Sequence, residues 1–241
     1  MLNRLKTIII REQFEPGILG LFTNPFYIAR KGLLEHIRSL APNITGKTLD
    51  VGCGTKPYEK YFNHSQYIGL EVNTGIDSEK KRADFYYDGK KFPFEDDEFD
   101  SVVTNQVLEH VFTPDLFLSE INRVLKISGN LLLTVPFVWD EHEQPFDFAR
   151  YSSFGAKSLF EKNGFEIIEH RKSLNDFRVI IQLINAYLYK TSLKRRPVKL
   201  LVNLFLIAPV TILGIFISKI LPKNNDLYLD NIIFAKKKND I

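Results

Sequence analysis

The amino-acid sequence predicts an α/β fold, a mostly parallel β-sheet covered by helices on both faces. Short apolar segments with strand composition alternate along the chain with segments of helical periodicity, which is the pattern of a parallel sheet with crossover helices. The chain has 241 residues, of which 44% are hydrophobic and 25% are charged. This composition is typical of a globular protein that buries a sizeable core, and it excludes a disordered chain.

Seven segments have the apolar composition of strands. In chain order they are 47–52, 66–72, 83–89, 99–105, 130–137, 165–173 and 228–238. Helices are predicted over 17–40, 114–125 and 153–162, and a loop followed by a helix over 55–62. Turn residues support two of these boundaries, since Gly129-Asn130 opens the fifth strand and Gly164 ends the last helix.

The charge and the cysteine content limit the classes of function. The net charge is +3, and basic residues gather in two short clusters, 194–196 and 236–238. Short clusters without interleaved aromatic residues do not indicate a nucleic-acid partner. The single cysteine, Cys53, excludes an internal disulfide and a cysteine-only metal site, and the N-terminal apolar run is too short for a secretory signal. We therefore expect a cytoplasmic protein that binds no nucleic acid.

The segment "DVGCG", residues 50–54, stands at the end of the first predicted strand. Its two glycines allow the backbone to turn sharply and to approach a ligand closely. A third glycine at position 57 would complete the dinucleotide fingerprint, but Pro57 stands there, and the GxxxxGKS/T motif of nucleotide triphosphatases is missing from the sequence. The carboxylate of Asp50 would repel a pyrophosphate. The loop therefore favours a cationic or hydroxyl-rich ligand.

Two acidic residues lie at the ends of the next two predicted strands. Glu71 stands about where a dinucleotide-binding domain carries the acid that binds ribose, and a carboxylate accepts hydrogen bonds from both ribose hydroxyls. Asp88 follows the third strand and can accept a hydrogen bond from an adenine amino group. With the glycine loop, these acids predict a site for a nucleoside.

The segments "DVGCG", "FPFEDDEFDSV" and "TNQVLEHV" together resemble the class I S-adenosylmethionine-dependent methyltransferases, in particular their type 11-like small-molecule group. The resemblance covers Thr48 to Ser173 and the final strand. It implies a Rossmann-like, seven-stranded, mostly parallel sheet with an antiparallel final strand, and S-adenosyl-L-methionine as the cofactor. The family usually has two glycines before its fifth strand, where this chain has Ser128-Gly129.

The resemblance also implies seven cofactor-binding residues: Asp50, Gly52, Gly54, Glu71, Asp88, Asn105 and Gln106. In this assignment Asp50 and the two glycines line the methionine and ribose end of the cofactor. Glu71 binds the ribose hydroxyls, Asp88 faces the adenine, and the Asn105-Gln106 pair lies beside the sulfonium.

The segment 136–153 follows the fifth predicted strand, and in open α/β sheets ligands bind beyond the carboxyl ends of the strands. Its pattern HxxPxDxxRYS, from His142 to Ser152, resembles a subgroup of these methyltransferases that is associated with cell-surface glycan synthesis. The resemblance implies that this segment borders the acceptor.

The predicted catalytic and substrate-binding residues of this segment are Trp139, His142, Asp147, Arg150 and Tyr151. His142 would take the proton of an acceptor hydroxyl, and Asp147 would orient its imidazole. Arg150 would hold an anionic group of the acceptor. The structural alternative is that Arg150 pairs with Asp147 and that Ser152 or Ser153 caps the next helix.

Other polar features have structural explanations. Cys53 is a small filler between two glycines, since no basic partner lies near it in the sequence. Glu109-His110 belongs to the turn after the fourth strand, where such residues fix the following loop; a catalytic role for His110 is the alternative.

No metal ion is expected in the predicted site, because methyl transfer from a sulfonium depends mainly on placement of the acceptor. The acidic run 95–98 is typical of a solvated loop, since adjacent carboxylates rarely converge on one ion. A weaker alternative is a metal site formed by His142 together with Asp140, Glu143 and Asp147.

Residues 200–218 carry no formal charge, and the run is about long enough to cross a bilayer. A single crossing would separate the final strand from the rest of the sheet, and Pro209 favours a break. We therefore predict a helical insertion between the sixth and last strands, over the mouth of the substrate site. It contacts the membrane through 194–221, forms a dimer contact, or packs as a buried cap. In the membrane alternative the cations that meet anionic headgroups are Lys194, Arg195, Arg196 and Lys199.

Four segments are predicted: a helical cap over 1–46, the methyltransferase core over 47–173, the hydrophobic helical insertion over 174–223, and the final strand with a basic tail over 224–241. The first hypothesis of function is methyl transfer to a hydroxyl of a glycan or a lipid-linked saccharide. The alternatives are a methyltransferase of a soluble or quinone-like small molecule and a non-catalytic module with the cofactor fold at the membrane. The expected location is the cytoplasm, with peripheral contact on the inner face of the membrane.

Overall fold

A computed structural model describes residues 8, 10–73, 81–193 and 195–238, and the chain divides into two compact units. One unit, called the sheet unit, comprises 37–137, 141–171 and 230–241; the other, called the helical unit, comprises 1–36, 138–140 and 172–229. Of the residues expected to meet lipid headgroups, Lys194 and the side chain of Arg196 lie outside the described part of the chain.

The sheet has seven strands in the order β3-β2-β1-β4-β5-β7-β6. Their bounds are β1 Thr45–Val51, β2 Asn63–Val72, β3 Phe85–Tyr87, β4 Phe99–Asn105, β5 Leu125–Pro136, β6 Phe165–Lys172 and β7 Asp230–Lys237. The first five strands pair in parallel, and β7 runs antiparallel to β5, with Asn130 opposite Lys236 and Pro136 opposite Asp230. The predicted fold class is therefore confirmed.

The core of the sheet unit forms because apolar side chains recur with the period of each element. Leu49 and Val51 alternate along β1, and Leu131 and Leu133 along β5, all fully buried. Two helices pack on this core: α3, Pro114–Val124, and α4, Ser153–Lys162. Proline at the first position of α3 suits its start, and its buried residues Phe117, Leu118, Ile121 and Val124 follow helical spacing.

Two predicted boundaries are wrong for local reasons. The helix expected in 55–62 is a single 3₁₀ turn, Glu59–Tyr61, after which the chain enters β2. Lys56 adopts a left-handed conformation with φ of 53°, so no α-helix runs through this position. β5 begins at Leu125, before the predicted Gly129-Asn130 turn, because a register shift at Phe99/Ser101 absorbs the irregular backbone at Ser128.

The helical unit has its own small core, formed by Tyr27, Ile28, Leu174, Val179, Ile181 and Leu229. Its helices are α1 Ile18–Thr23, α2 Tyr27–Leu40 (shared with the sheet unit from residue 37), α5 Arg178–Thr191, α6 Arg196–Val202 and α7 Ala208–Ile217, with a π-helical segment Asn203–Ile207 joining α6 to α7. Gly214 allows α7 to lie close to α5, since a β-carbon there would come within 2.4 Å of Ile181.

The start of α4 offers a test of the local fold. The hydroxyl of Ser152 accepts a hydrogen bond from the Gly155 N–H at 3.2 Å, which satisfies one of the unpaired donors of the first turn. We expect Ser152→Ala to lower the free energy of unfolding of the sheet unit by about 1 kcal/mol in urea titrations. The neighbouring change Ser153→Ala is the matched control and should have almost no effect; equal losses for both would contradict the capping role.

Candidate active site

The predicted cofactor residues lie where parallel strands end at one edge of the sheet. β1 lies between β2 and β4, with Asp50 opposite Gly69 on one side and Val103 on the other. The carboxyl ends of these three strands therefore converge, and this is where open α/β sheets bind ligands at the reversal of strand order. The glycine loop follows β1, Glu71 lies near the end of β2, and Asn105 ends β4.

The glycine loop has the backbone that the sequence predicted. Gly52 has φ of 72°, and a β-carbon there would lie 2.4 Å from Cγ2 of Val107 in the turn after β4. Only glycine suits this position, because both the left-handed conformation and the close neighbour exclude a side chain. Gly54 has φ of 49°, and a β-carbon there would meet no atom within 4 Å. The loop thus presents bare backbone to open space.

Carboxylates surround this loop. Glu71 accepts a hydrogen bond from the Gly54 N–H at 3.0 Å through Oε2, and its Oε1 lies 3.0 Å from the Lys81 ammonium. Asp50 is buried and accepts a hydrogen bond from the Tyr67 hydroxyl at 2.8 Å. Burial raises the pKa of Asp50 to about 7, although the Tyr67 hydrogen bond and the Lys56 charge oppose this shift. Both acids are therefore held in place by neighbouring side chains.

The other predicted cofactor residues border the same edge. Asp88 lies one residue beyond β3 and is exposed; its Oδ1 accepts the Lys90 N–H at 2.9 Å, and backbone hydrogen bonds lower its pKa. Asn105 and Gln106 both reach the Thr134 hydroxyl on β5, each at 3.4 Å. Gln106 has φ of 56°, so the chain turns sharply at the end of β4.

These groups fit S-adenosylmethionine by their chemistry. The open space above Gly54 leaves room for a ligand against the backbone, and the Glu71 carboxylate can accept hydrogen bonds from ribose hydroxyls. The buried Asp50 adds a carboxyl group to a region that binds a cationic ligand better than a pyrophosphate.

A second group of residues, here called the histidine cluster, consists of Glu109, His110 and His142. Glu109 and His110 lie in the 3₁₀ turn after β4, and His142 lies in the loop after β5. The Glu109 carboxylate is fully buried, and burial raises its pKa to about 8. Its Oε1 lies 3.8 Å from Nε2 of His110 and 4.0 Å from Nε2 of His142, and the two imidazole rings meet edge to face.

The loop after β5 is held by Asp147. This carboxylate accepts the His142 backbone N–H at 2.9 Å, lies 3.2 Å from Nδ1 of His142, and takes two hydrogen bonds from Arg150 at 2.6 and 2.7 Å. The Arg150 hydrogen bonds hold the pKa of Asp147 well below its usual range, so it stays ionised. The structure brings His142, Asp147 and Arg150 together, and it pairs Arg150 with Asp147 as the structural alternative expected.

The two remaining predicted substrate residues, Trp139 and Tyr151, contact residues other than these three. Trp139 belongs to the helical unit, where its ring packs edge to face on Phe26 at 5.8 Å. Tyr151 is half-buried on the core of the sheet unit, and its backbone carbonyl accepts a hydrogen bond from Asn231 at 2.7 Å. Their roles toward an acceptor remain predictions.

The sequence prediction did not place Glu109 in the site, and it gave a catalytic role for His110 only as an alternative. They were expected to fix the loop after β4, whereas the structure shows contacts with the loop after β5: the Glu109 carbonyl accepts the Phe148 N–H at 2.8 Å, and His110 Nδ1 donates to the Phe146 carbonyl at 2.7 Å. The same contacts bring His142 next to the Glu109 carboxylate. The sequence signal that could have indicated the histidine cluster is a carboxylate beside a histidine after β4, followed by another histidine after β5.

Comparison with known proteins agrees with this geometry. A family model described as a methyltransferase domain matches residues 49–133. The uncharacterized protein MJ1123 of Methanocaldococcus jannaschii is 27% identical over 143 residues, which cover 56% of this chain and 69% of that protein. A fatty-acid O-methyltransferase of Mycolicibacterium smegmatis is 32% identical over 114 residues, covering 42% of this chain and 41% of the relative. This chain thus matches less than half the length of the latter.

A solved structure shows the same fold. Phosphoethanolamine N-methyltransferase 2 of Haemonchus contortus, in complex with S-adenosyl-L-methionine, superposes with a TM-score of 0.55 at 21% sequence identity. The match covers 97% of this chain and 57% of that one. At this identity the likeness concerns the fold.

The cofactor assignment of Glu71 can be tested by binding. We expect Glu71→Ala to weaken the affinity for S-adenosylhomocysteine at least about tenfold, because a hydrogen bond to a charged group contributes about 1.5–3 kcal/mol. Isothermal titration calorimetry measures this directly. Glu95→Ala, which removes an exposed carboxylate of the sheet unit, is the control. An unchanged affinity in the Glu71 variant would refute the ribose assignment.

The identification depends on three agreeing observations. The seven-stranded, mostly parallel sheet with its antiparallel β7 is the one that the resemblance implied. The predicted glycine loop and Glu71 offer groups that could hold a sulfonium nucleoside, and the methyltransferase-domain model covers both of them. The protein is a methyltransferase that uses S-adenosyl-L-methionine as its cofactor, and residues 49–133 match a methyltransferase-domain model.

Proposed function

We propose that the enzyme transfers the methyl group to a hydroxyl of a glycan or lipid-linked saccharide, at the inner face of the cytoplasmic membrane. The observation that carries this proposal is the exposed apolar helix of the helical unit. A methyltransferase of water-soluble acceptors has no need of such a surface, and large exposed apolar patches mark membrane or partner contacts.

The helix that runs from Pro197 to Ile217 has 21 residues, a mean hydropathy of 2.6 and only 28% burial. Its exposed apolar side chains are Leu200, Leu201, Leu204, Phe205, Leu206, Ile212, Leu213 and Phe216. In the described part of the chain it is the one helix that is long and apolar enough to cross a bilayer. A buried cap would hide these side chains, so the exposure favours a contact with lipid.

The neighbouring α1 adds to this surface. The Asn203 amide donates a hydrogen bond to the Thr23 carbonyl at 3.1 Å, which joins the π-helical segment to α1. Ile18 and Leu19 of α1 are 83% and 56% exposed. Two apolar elements thus face solvent within one unit, which favours a partner of lipid character.

Cations flank the apolar run. Arg195 precedes it, and Lys219 and Lys223 follow it, all exposed. Lys199 lies over the Tyr189 ring at 4.2 Å. Basic residues at the ends of an apolar helix are attracted to anionic headgroups, each contributing about 1 kcal/mol near the surface. This pattern supports peripheral binding to an anionic membrane.

The chemistry of the site suits a hydroxyl acceptor. S-adenosylmethionine supplies an electrophilic methyl group, so the chain must place the acceptor and remove its proton. His142 is the proposed base, and the ionised Asp147 keeps its imidazole oriented and stabilises the imidazolium that forms. Arg150 holds Asp147 in this position. The name of the fatty-acid O-methyltransferase relative also favours an oxygen acceptor.

A second candidate acceptor is a small apolar molecule, such as a quinone-like compound. The same relative, named for a fatty-acid substrate, favours it. Incubation with methyl-labelled cofactor and separate membrane and soluble extracts distinguishes the two. Label in saccharide that is released from lipid by mild acid supports the first proposal, whereas label in a small molecule without sugar supports the second.

Membrane binding can be tested by flotation. Phe205 is 70% exposed, and we expect Phe205→Glu to weaken binding to phosphatidylglycerol vesicles at least about tenfold, since burying a phenylalanine contributes about 1.5–3 kcal/mol. The matched control is Phe154→Glu, which changes a phenylalanine of the sheet unit that is 83% exposed. If the unchanged protein stays monodisperse without detergent and does not float with anionic vesicles, the membrane proposal is wrong.

The role of His142 can be tested by kinetics. We expect His142→Ala to lower kcat about 10²- to 10⁴-fold, the usual contribution of acid–base catalysis, and Asp147→Asn to lower it less. The affinity for S-adenosylhomocysteine should stay unchanged in both variants. His64→Ala, on β2 beside Tyr67, is the control histidine variant. Equal losses of turnover and cofactor affinity would contradict the assigned roles.

A further inference from the structure

We propose that Glu109, His110 and His142 bind one divalent first-row transition-metal ion, and that this ion receives the acceptor hydroxyl. The inference deepens the proposed function and rests on it only for the role of the ion. The binding site itself follows from the contacts of three side chains in the sheet unit.

The carboxylate of Glu109 is the first reason. Its side chain has no exposed surface, and neither Oε1 nor Oε2 has a hydrogen-bond partner among the described residues. Most buried polar groups in proteins are hydrogen-bonded, and a buried carboxylate without a partner is costly. A bound cation would satisfy both oxygens in a way that no other described group does.

The orientation of the two imidazoles is the second reason. His110 donates from Nδ1 to the Phe146 carbonyl, which leaves Nε2 toward Glu109. His142 Nδ1 lies 3.2 Å from Asp147 and 3.5 Å from Arg150, and the shorter contact favours donation to the carboxylate. Metal-bound histidines commonly donate their second ring N–H to a backbone carbonyl or a carboxylate. Both histidines show this arrangement.

The three side chains lie close enough to coordinate one ion after they move slightly closer together. The three ligand atoms lie within 4.8 Å of one another. Ligands at about 2.0–2.2 Å from one ion stand roughly 3.0–3.4 Å apart, so the cluster must contract by about 1 Å. His142 is 26% exposed and lies in the loop after β5, so we place the contraction in this loop. An N–H···O hydrogen bond does not account for the present spacing, since 3.8 and 4.0 Å exceed its range.

The ligand set selects the class of ion. Two imidazole nitrogens and one carboxylate suit Zn²⁺, Mn²⁺ or Fe²⁺, whereas Mg²⁺ and Ca²⁺ prefer shells of oxygen. Three protein ligands leave at least one coordination position open. An acceptor hydroxyl can take this position.

The role of the ion follows from this open position. A bound cation lowers the pKa of a coordinated hydroxyl, so the proton passes to water as the oxygen attacks the methyl carbon. The O–H and S–CH₃ bonds break, the O–CH₃ bond forms, and S-adenosylhomocysteine leaves. When the ion is bound, Nε2 of His142 is a metal ligand, so the acceptor proton passes to water and not to His142.

The binding experiment uses the full chain after treatment with EDTA. Calorimetric titration with Zn²⁺ or Mn²⁺ alone should show one ion per chain, and Mg²⁺ should bind at least about a hundredfold more weakly. Glu109→Gln and His142→Ala should each weaken Zn²⁺ binding at least about a hundredfold. Asp147→Asn, which changes only the support of His142, should weaken it about 10- to 100-fold. Glu141→Gln, an exposed carboxylate of the same loop, is the control.

Activity separates this proposal from the proposed function. Restored methyl transfer on adding Zn²⁺ or Mn²⁺ to the stripped enzyme supports the role of the ion. Full turnover of the stripped enzyme without a bound ion overturns that role and leaves His142 as the base. Zn²⁺ binding that is equal in the unchanged protein and in Glu109→Gln overturns the site itself. If the unchanged protein does not bind S-adenosylhomocysteine, the cofactor assignment is refuted instead.

Discussion

The position of β1 between β2 and β4 is the constraint on which the rest of the molecule depends. Because all three strands run in parallel, their carboxyl ends meet at one edge, and residues distant in sequence become neighbours there. The Gly52 backbone lies against Val107 of the turn after β4, so the cofactor loop and the turn that carries Glu109 are packed together. The predicted cofactor loop and the histidine cluster thus lie at the same edge of the sheet.

Glu109 takes part in both the fold and the histidine cluster. Its backbone carbonyl receives the Phe148 and Ala149 N–H groups, and this contact holds the loop that carries His142. The side chain that the fold buries in this way has no hydrogen-bond partner in the described residues. A carboxyl group that only stabilised the loop could be replaced by an apolar side chain at no cost, since the loop contact uses the backbone. The position of the acid therefore points to a ligand.

Much of the fold could be predicted because local signals agree with the tertiary structure. The helix Ser153–Lys162 has its predicted bounds, since Ser152 caps one end and Gly164 follows the other. The start of β5 could not be predicted from the sequence. The irregular backbone at Ser128 stays within the strand because a register shift in its pairing with β4 accommodates it. The position of the predicted cofactor residues at strand ends could be inferred from their order along the chain. The histidine cluster could not be inferred in this way, because the contact of Glu109 with His142 depends on tertiary hydrogen bonds across the loop.

The return of the chain into β7 limits what the apolar helix can do. β7 pairs with β5 over seven positions, from Asn130 opposite Lys236 to Pro136 opposite Asp230, and it inserts between β5 and β6. A single membrane crossing by residues 197–217 would leave β7 on the opposite side from its partner strands. In the described residues no second helix qualifies for a return crossing. The sheet can therefore form only if residues 197–217 begin and end on the same side of any membrane that they contact.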